Sequence, residues 1–309
     1  MKSNPKQFLD LGAEFADFKS AAIAILPVPY EGGRSWGAGA ARGPDAVIDA
    51  SQHLELYDEV LRREPFRMGI VTVTPPNISS DPAVLHDTIY QCSKAIIQQD
   101  KFVVLIGGDH SVSSGYVKAL HEKCGQLSAI QLDAHSDLRD TYNGSSFSHA
   151  CVMSRIRELT TDTLQIGIRS MSSEEAERIK REGLMVCTMS DYRSGGFDVA
   201  GAIERLPDPV FITVDVDVFD WSVIRSTGTP EPGGFLWDEA VSLLQKIFMQ
   251  KNVVGFDIVE LSYAEHDLNS PFAVAKLIYK MLGFKLAADV NRGALNWPDK
   301  PRGSLFFHI

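Results

Sequence analysis

Eight short, mainly apolar runs constrain the fold of this chain more than any other feature. They are Ala21–Val28, Arg67–Val73, Phe102–Ile106, Ser128–Leu132, Leu164–Ile168, Leu184–Thr188, Val210–Val214 and Val253–Val259. Most are continuous in Val, Ile and Leu, which suits strands buried on both faces of a parallel sheet. Helix-like segments lie between them: Asp81–Gln99, Ser111–His121, Ser172–Glu182, Trp237–Gln250 and Ala273–Leu282. Ser172-Ser173-Glu174-Glu175 reads as a helix start, with hydroxyl caps and acids in the first turn. The alternation predicts an α/β fold of three layers, α/β/α, around a mainly parallel, roughly eight-stranded sheet. No linker, repeat or low-complexity segment interrupts residues 1–309, so a single domain is expected.

Composition removes several function classes. The net charge of −10 argues against nucleic acid and anionic membrane as partners and is compatible with a cationic substrate. No apolar run approaches the ~18 residues of a membrane span, and Met1–Lys19 lacks the pattern of a signal peptide. Cys92, Cys124, Cys151 and Cys187 are scattered and form no CxxC pair, which fits reduced thiols in a cytoplasmic protein rather than a disulfide framework or zinc ribbon.

Ligands of an α/β sheet bind beyond the carboxyl ends of its strands, and three strand ends carry unusual residues. Phe102–Ile106 runs into Gly107-Gly108-Asp109-His110-Ser111, where the glycines permit a sharp turn and His110 projects from the edge. Ser128–Leu132 runs into Asp133-Ala134-His135-Ser136-Asp137. In extended backbone residues two apart point the same way, so these three side chains are expected to converge. Val210–Val214 runs into Asp215-Val216-Asp217, and Asp220 beyond it also fits a turn. Buried carboxylate pairs are costly unless neutralised, and a divalent cation would neutralise them. His110, Asp133, His135, Asp137, Asp215 and Asp217 are too many ligands for one zinc site but suffice for two metals about 3.5–4 Å apart with bridging carboxylates. An oxygen-rich set favours Mn2+.

In these three motifs, in this order, the chain resembles the ureohydrolase family, which includes arginase and agmatinase. Thr227-Gly228-Thr229-Pro230-Glu231-Pro232-Gly233-Gly234 is similar to the family's following loop. Pro27-Val28-Pro29-Tyr30-Glu31-Gly32-Gly33, Ala41-Arg42-Gly43-Pro44 and Gly167-Ile168-Arg169-Ser170 look more like agmatinases than arginases. The resemblance implies two Mn2+ per subunit: His110 and Asp137 terminal on one, His135 and Asp217 on the other, Asp133 and Asp215 bridging. It implies that His149 relays protons and that Glu260 holds the substrate guanidinium; alone, His149 also fits a surface loop and Glu260 a salt-bridged strand end. It also suggests a homo-oligomer, a trimer or hexamer. Trp221 and Ile224-Arg225-Ser226 depart from the family's usual Pro and Ala-Pro-Gly, as do Leu261-Ser262, Ser136 and Ala150 from its common residues; none removes a ligand.

The chemistry expected is hydrolysis of a guanidino compound to urea and an amine. Two cations lower the pKa of a water between them, Glu260 pairs with the planar cation, and Asp137 and His149 carry protons. A non-catalytic cation-binding relative would be expected to lack a ligand, and a phosphoesterase would not place Glu260 against its substrate. The substrate expected first is agmatine, giving putrescine, with aminopropylagmatine, arginine and guanidinobutyrate as alternatives. Arg139 stands near the place of an Asn by which arginases recognise an amino-acid head, and Asp140 could meet an ammonium.

Overall fold

Every one of the apolar runs forms a strand. In the computed structural model, which describes residues 2–33 and 35–295, these are β1 (Ile23–Val28), β2 (Ile70–Thr72), β3 (Phe102–Gly107), β4 (Ser128–Leu132), β5 (Thr163–Ile168), β6 (Met185–Thr188), β7 (Val210–Asp215) and β8 (Val253–Val259). They pair in the order β2-β1-β3-β8-β7-β4-β5-β6, and every pairing is parallel. β7 and β8 come late in the chain and return to fill the gap between β3 and β4. The four central strands are therefore β3, β8, β7 and β4, and their carboxyl ends lie side by side.

The helices are α1 (Gly43–Ser51), α2 (Pro82–Ile97), α3 (Ser113–Cys124), α4 (Val152–Arg157), α5 (Ser173–Glu182), α6 (Met189–Ser194), α7 (Val199–Arg205), α8 (Trp237–Gln250) and α9 (Asn269–Asn291). Successive strand residues bury on opposite faces, as the period of two requires. Ile23, Ile25, Val104 and Ile106 join a core with residues of α1, α7, α8 and α9, among them Val47, Ile203, Leu244 and Ile278. Ala24, Leu26, Val103 and Leu105 join a second core with α2, α3 and α4 through Ile89, Tyr116, Val117 and Ile156. Burial on both faces is why the strands read as mainly apolar runs.

α9 extends well beyond the expected Ala273–Leu282. It is apolar around most of its circumference because it packs against α1 and α8 as well as the sheet side, so no amphipathic stripe marks its ends. α4, α6 and α7 span only 6–7 residues each, too few for helical periodicity to show. No helix among the described residues is long and apolar enough to cross a membrane. All four cysteines are free.

Candidate active site

The end of β3 makes its turn because Gly108 has no side chain: a Cβ there would collide with the Tyr30 carbonyl oxygen. Asp109 then caps a short 3-10 turn by accepting the Ser111 N–H at 2.9 Å, and this delivers His110 into the interior, fully buried. Its Nδ1 faces Asp137 Oδ2 at 3.1 Å, Asp133 Oδ2 at 3.2 Å and Asp215 Oδ2 at 3.4 Å. A second group forms beside it, where His135 Nδ1 lies 2.8 Å from Asp217 Oδ2 and 3.7 Å from Asp133 Oδ1. Two sets of potential metal ligands result, His110–Asp133–Asp137 and Asp133–His135–Asp217. Asp133 belongs to both and turns one oxygen toward each.

The six side chains converge by a different route from the extended one expected. Asp137 has φ of 51° and Glu260 of 66°, a left-handed backbone that costs a non-glycine residue of order 1–3 kcal/mol. The left-handed turn at Asp137 brings its carboxylate to His110 rather than continuing the strand. Asp217 sits in a 3-10 turn, Val216–Val218, capped when Asp215 Oδ1 accepts the Asp217 N–H at 2.9 Å. The two carboxylates therefore serve different groups, Asp215 the His110 side and Asp217 the His135 side. Asp220 is a turn residue, accepting from Ser222 N–H at 3.0 Å and Oγ–H at 2.8 Å.

Buried partners orient the ligands. Thr213 donates its hydroxyl hydrogen to Asp257 Oδ1 at 2.6 Å. Its oxygen, 2.8 Å from His110 Nε2, must therefore accept from that ring nitrogen. This leaves the Nδ1 lone pair of a neutral His110 pointing at three carboxylates. Gln131 donates to Asp133 Oδ2 at 2.6 Å, and its register partner Gln165 donates to Gln131 Oε1 and to the Ser136 carbonyl. On the other side the Ala134 N–H donates to Asp217 Oδ1 at 3.0 Å. Arg169 donates to the Asp217 carbonyl at 2.6 Å and to that of Glu231 at 2.8 Å. The cap of α5 joins in: Glu175 accepts from Ser136 Oγ–H at 2.8 Å and from Leu138 N–H at 2.9 Å while completing a capping box with Ser172.

Electrostatics shows what the cluster lacks. His110 Nδ1 and Asp217 Oδ2, one in each group, are buried without a hydrogen-bond partner among the described residues. Burial pushes Asp215 well above the usual carboxylate range, with Asp217 and Asp133 adding to it. Burial and Asp133 likewise push Asp137 up to about 6. Burial opposes a proton on His135, but Asp217 and Asp133 outweigh it and push the ring up to about 12. Asp137, Asp215 and Asp217 are raised, only Asp133, paired with both histidines, is lowered, and both imidazoles are raised, which describes a cavity short of positive charge. Two imidazoles and four carboxylates with one orphaned atom in each group fit a pair of divalent cations.

The cleft above is lined by Glu31, Ser35, Arg139, Tyr142, His149 and Glu260, with His110 and His135 at its floor. The Glu260 N–H donates to the Gly108 carbonyl at 2.7 Å, and Oε1 accepts the His110 N–H at 2.6 Å. Burial, then the charge of Asp109, pushes its carboxyl up to about 8. His149 lies with Nδ1 3.6 Å from Asp109 Oδ2 and Nε2 2.9 Å from Ser35 Oγ. Burial opposes its protonation, and Asp109 outweighs burial and brings it to about 9. Asp140 does not meet the cleft: its side chain is 83% exposed and pairs with Arg178 at 3.2 Å. Arg139 reaches Glu175 at 3.8 Å rather than Asp140, and lies over the Tyr142 ring at 5.4 Å.

Trp221 is half exposed beyond the Asp220 turn, while Ile224 fills the core. The Arg225 and Ser226 N–H groups donate to Ser270 Oγ, and Ser226 Oγ donates to Asp267 Oδ2 at 2.6 Å. These departures thus tie the loop after β7 to the start of α9 without touching a ligand. Gln131, Gln165, Thr213 and Asp257 belong to no ligand motif, yet their sequence positions signal a role, because each is a polar residue inside a strand buried on both faces and so has to find a partner there.

A family model described as the arginase family matches residues 21–283. The chain belongs to the arginase family. Among curated relatives, this arginase-family chain is 37% identical to the N(1)-aminopropylagmatine ureohydrolase of Synechocystis sp., over 91% of this chain and 94% of the relative. It is 33% identical to the agmatinase of Pyrococcus horikoshii, over 89% and 95% respectively. Among solved structures, the agmatine ureohydrolase of Thermoplasma volcanium superposes with a TM-score of 0.83 at 27% identity, over 94% of this chain and 97% of that one. This arginase-family chain is a ureohydrolase of guanidino compounds.

Proposed function

We propose that the chain releases urea from N1-aminopropylagmatine in preference to agmatine, and from both in preference to arginine or guanidinobutyrate. The observation that carries the urea-releasing chemistry is the pair of ligand groups sharing Asp133 beneath a cleft that also holds Glu260 and His149. The substrate order is supported by the relative at 37% identity and by the acid Glu31 lining the cleft beside the guanidinium-holding Glu260. It displaces agmatine from first place without changing the reaction.

We assign His110, Asp133, His135, Asp137, Asp215 and Asp217 to two Mn2+, for which the oxygen-rich donor set is suited. When bound, such a pair supplies a nucleophile from water at neutral pH. Glu260, ionised once a cation lies against it, pairs with the forked donors of the guanidinium and fixes its plane over the floor of the cleft. The left-handed backbone at Glu260 aims the carboxylate there. Asp137 takes a proton from the attacking water, and His149 supplies one to the departing nitrogen. In sum, the guanidinium and one water give urea and an alkylammonium. The subunits are expected to assemble as a homo-oligomer, which light scattering would show.

A urea-release panel with added Mn2+ tests the reading. Aminopropylagmatine should give the highest specificity constant, agmatine next, and chelation should abolish both. Arginine or guanidinobutyrate ahead would overturn the substrate order, and full activity in metal-free protein would overturn the mechanism.

A further inference from the structure

His149 is held at both ring nitrogens. On one side Asp109 Oδ2 lies 3.6 Å from Nδ1 and also accepts the Gly33 N–H at 3.1 Å. On the other, Ser35 Oγ lies 2.9 Å from Nε2. Tyr142 meets the ring edge-on with centroids 5.6 Å apart. The segment carrying Ser35 is fastened to the rim at its far end as well, where the Gly37 N–H donates to the Gly228 carbonyl at 2.8 Å. Asp109 is itself fixed by the Ser111 N–H. The imidazole between them has little freedom to turn.

The floor of the cleft dictates which way a substrate enters. His110 and the carboxylates around it are buried, so a guanidinium held by Glu260 must leave its alkyl arm toward the mouth. The nitrogen that joins the arm to the guanidinium, the one that departs, then faces the mouth. Ser35 is an exposed residue of that mouth and lines the same cleft as Glu260. With both nitrogens protonated, His149 forms an ion pair across the 3.6 Å from Nδ1 to Asp109 Oδ2 and donates Nε2–H to Ser35 Oγ. The serine hydrogen is then free to point at the departing nitrogen.

We propose that Ser35 is the last link of the proton path, passing a proton from His149 to the departing amine. The step balances. As the carbon–nitrogen bond breaks, the nitrogen keeps the electron pair and takes the Ser35 hydroxyl proton. Ser35 Oγ takes the Nε2 proton, and neutral His149 regains one from solvent. This inference rests on the urea-releasing function proposed above.

The test compares two leaving groups. An alkyl amine, as in agmatine, cannot depart without a proton, whereas the aryl amine of p-nitrophenylguanidine needs far less help. With the manganese-loaded protein, Ser35→Ala should lower kcat for agmatine by about 30-fold and for the aryl substrate by less than about 3-fold. Manganese content and KM should stay within about twofold. Ser35→Thr, which keeps a hydroxyl, should recover most of the loss on agmatine. An unchanged kcat for agmatine in Ser35→Ala overturns the inference, as does an equal loss on both substrates, which would mark a structural role. A wild-type chain that releases no urea from any guanidino compound would bring down the functional reading, and this inference with it.

Discussion

The two ligand groups share Asp133 and differ in almost everything else. The His110 group is sealed: His110, Asp133, Asp137 and Asp215 are all buried. Behind it stand side chains that are themselves buried, Thr213 on Asp257 and Gln131 on Gln165. The His135 group opens to the cleft, with the His135 side chain 25% exposed and Glu231 Oε1 3.7 Å from its Nε2. It is steadied through backbone, by the Ala134 N–H on Asp217 and by Arg169 on two carbonyls. Outer partners commonly fix ligand orientation and tune affinity. A sealed group with side-chain backing should hold its metal tightly, and an open group held through a loop should exchange it.

The largest effect should follow from the shared residue. Asp133→Ala removes an oxygen from each group, so both metals should be lost and kcat/KM should fall by at least about a thousandfold. Elemental analysis showing one metal retained would mean that the groups are more independent than the geometry makes them. Next come the two histidines taken in parallel. His135→Ala should leave about one metal per chain, while His110→Ala should bind less than that and lose roughly tenfold more activity. Equal metal content in the two variants would break the contrast. Smaller again, Thr213→Val frees the Nε2 side of His110 and should weaken the tighter site by about 10–100-fold while sparing the weaker one; manganese titration followed by calorimetry reads both.

The smallest effect concerns the metal-free protein. Asp137 is pushed up to about 6, burial and Asp133 raising it, and His135 up to about 12, where Asp217 and Asp133 outweigh burial. Both groups therefore bind protons more tightly folded than unfolded. For His135 that contribution is lost as pH rises from the ordinary histidine value through the folded one. For Asp137 stability is gained as pH falls through the folded value. The chelated protein should accordingly gain roughly 3–6 °C in Tm between about pH 8 and pH 5. The manganese-loaded protein should lose stability over the same interval, because protons compete with the metal for the same atoms. Calorimetry of the two forms showing parallel trends would mean that the charge imbalance of the empty cluster is not the controlling term.

The sequence by itself determined the strands, because burial on both faces of a parallel sheet leaves short, mainly apolar runs, too short for helices and set between longer amphipathic segments. It also determined which residues gather at the site, since strand ends of a parallel sheet share one edge and His110, the Asp133–Asp137 stretch, Asp215, Asp217 and Glu260 follow four such strands. Only the tertiary structure decided how they divide. Strand order places β8 and β7 between β3 and β4, and such order depends on contacts distant in sequence. The left-handed backbone at Asp137 and the 3-10 turn at Asp217 send neighbouring carboxylates to different groups, although local spacing had pointed them the same way. Tertiary contact likewise turned Asp140 out to Arg178 and brought Ser35, 114 residues away in sequence, onto His149. A side chain's partner is chosen by the surface that folds against it, and no periodicity in the chain records that surface.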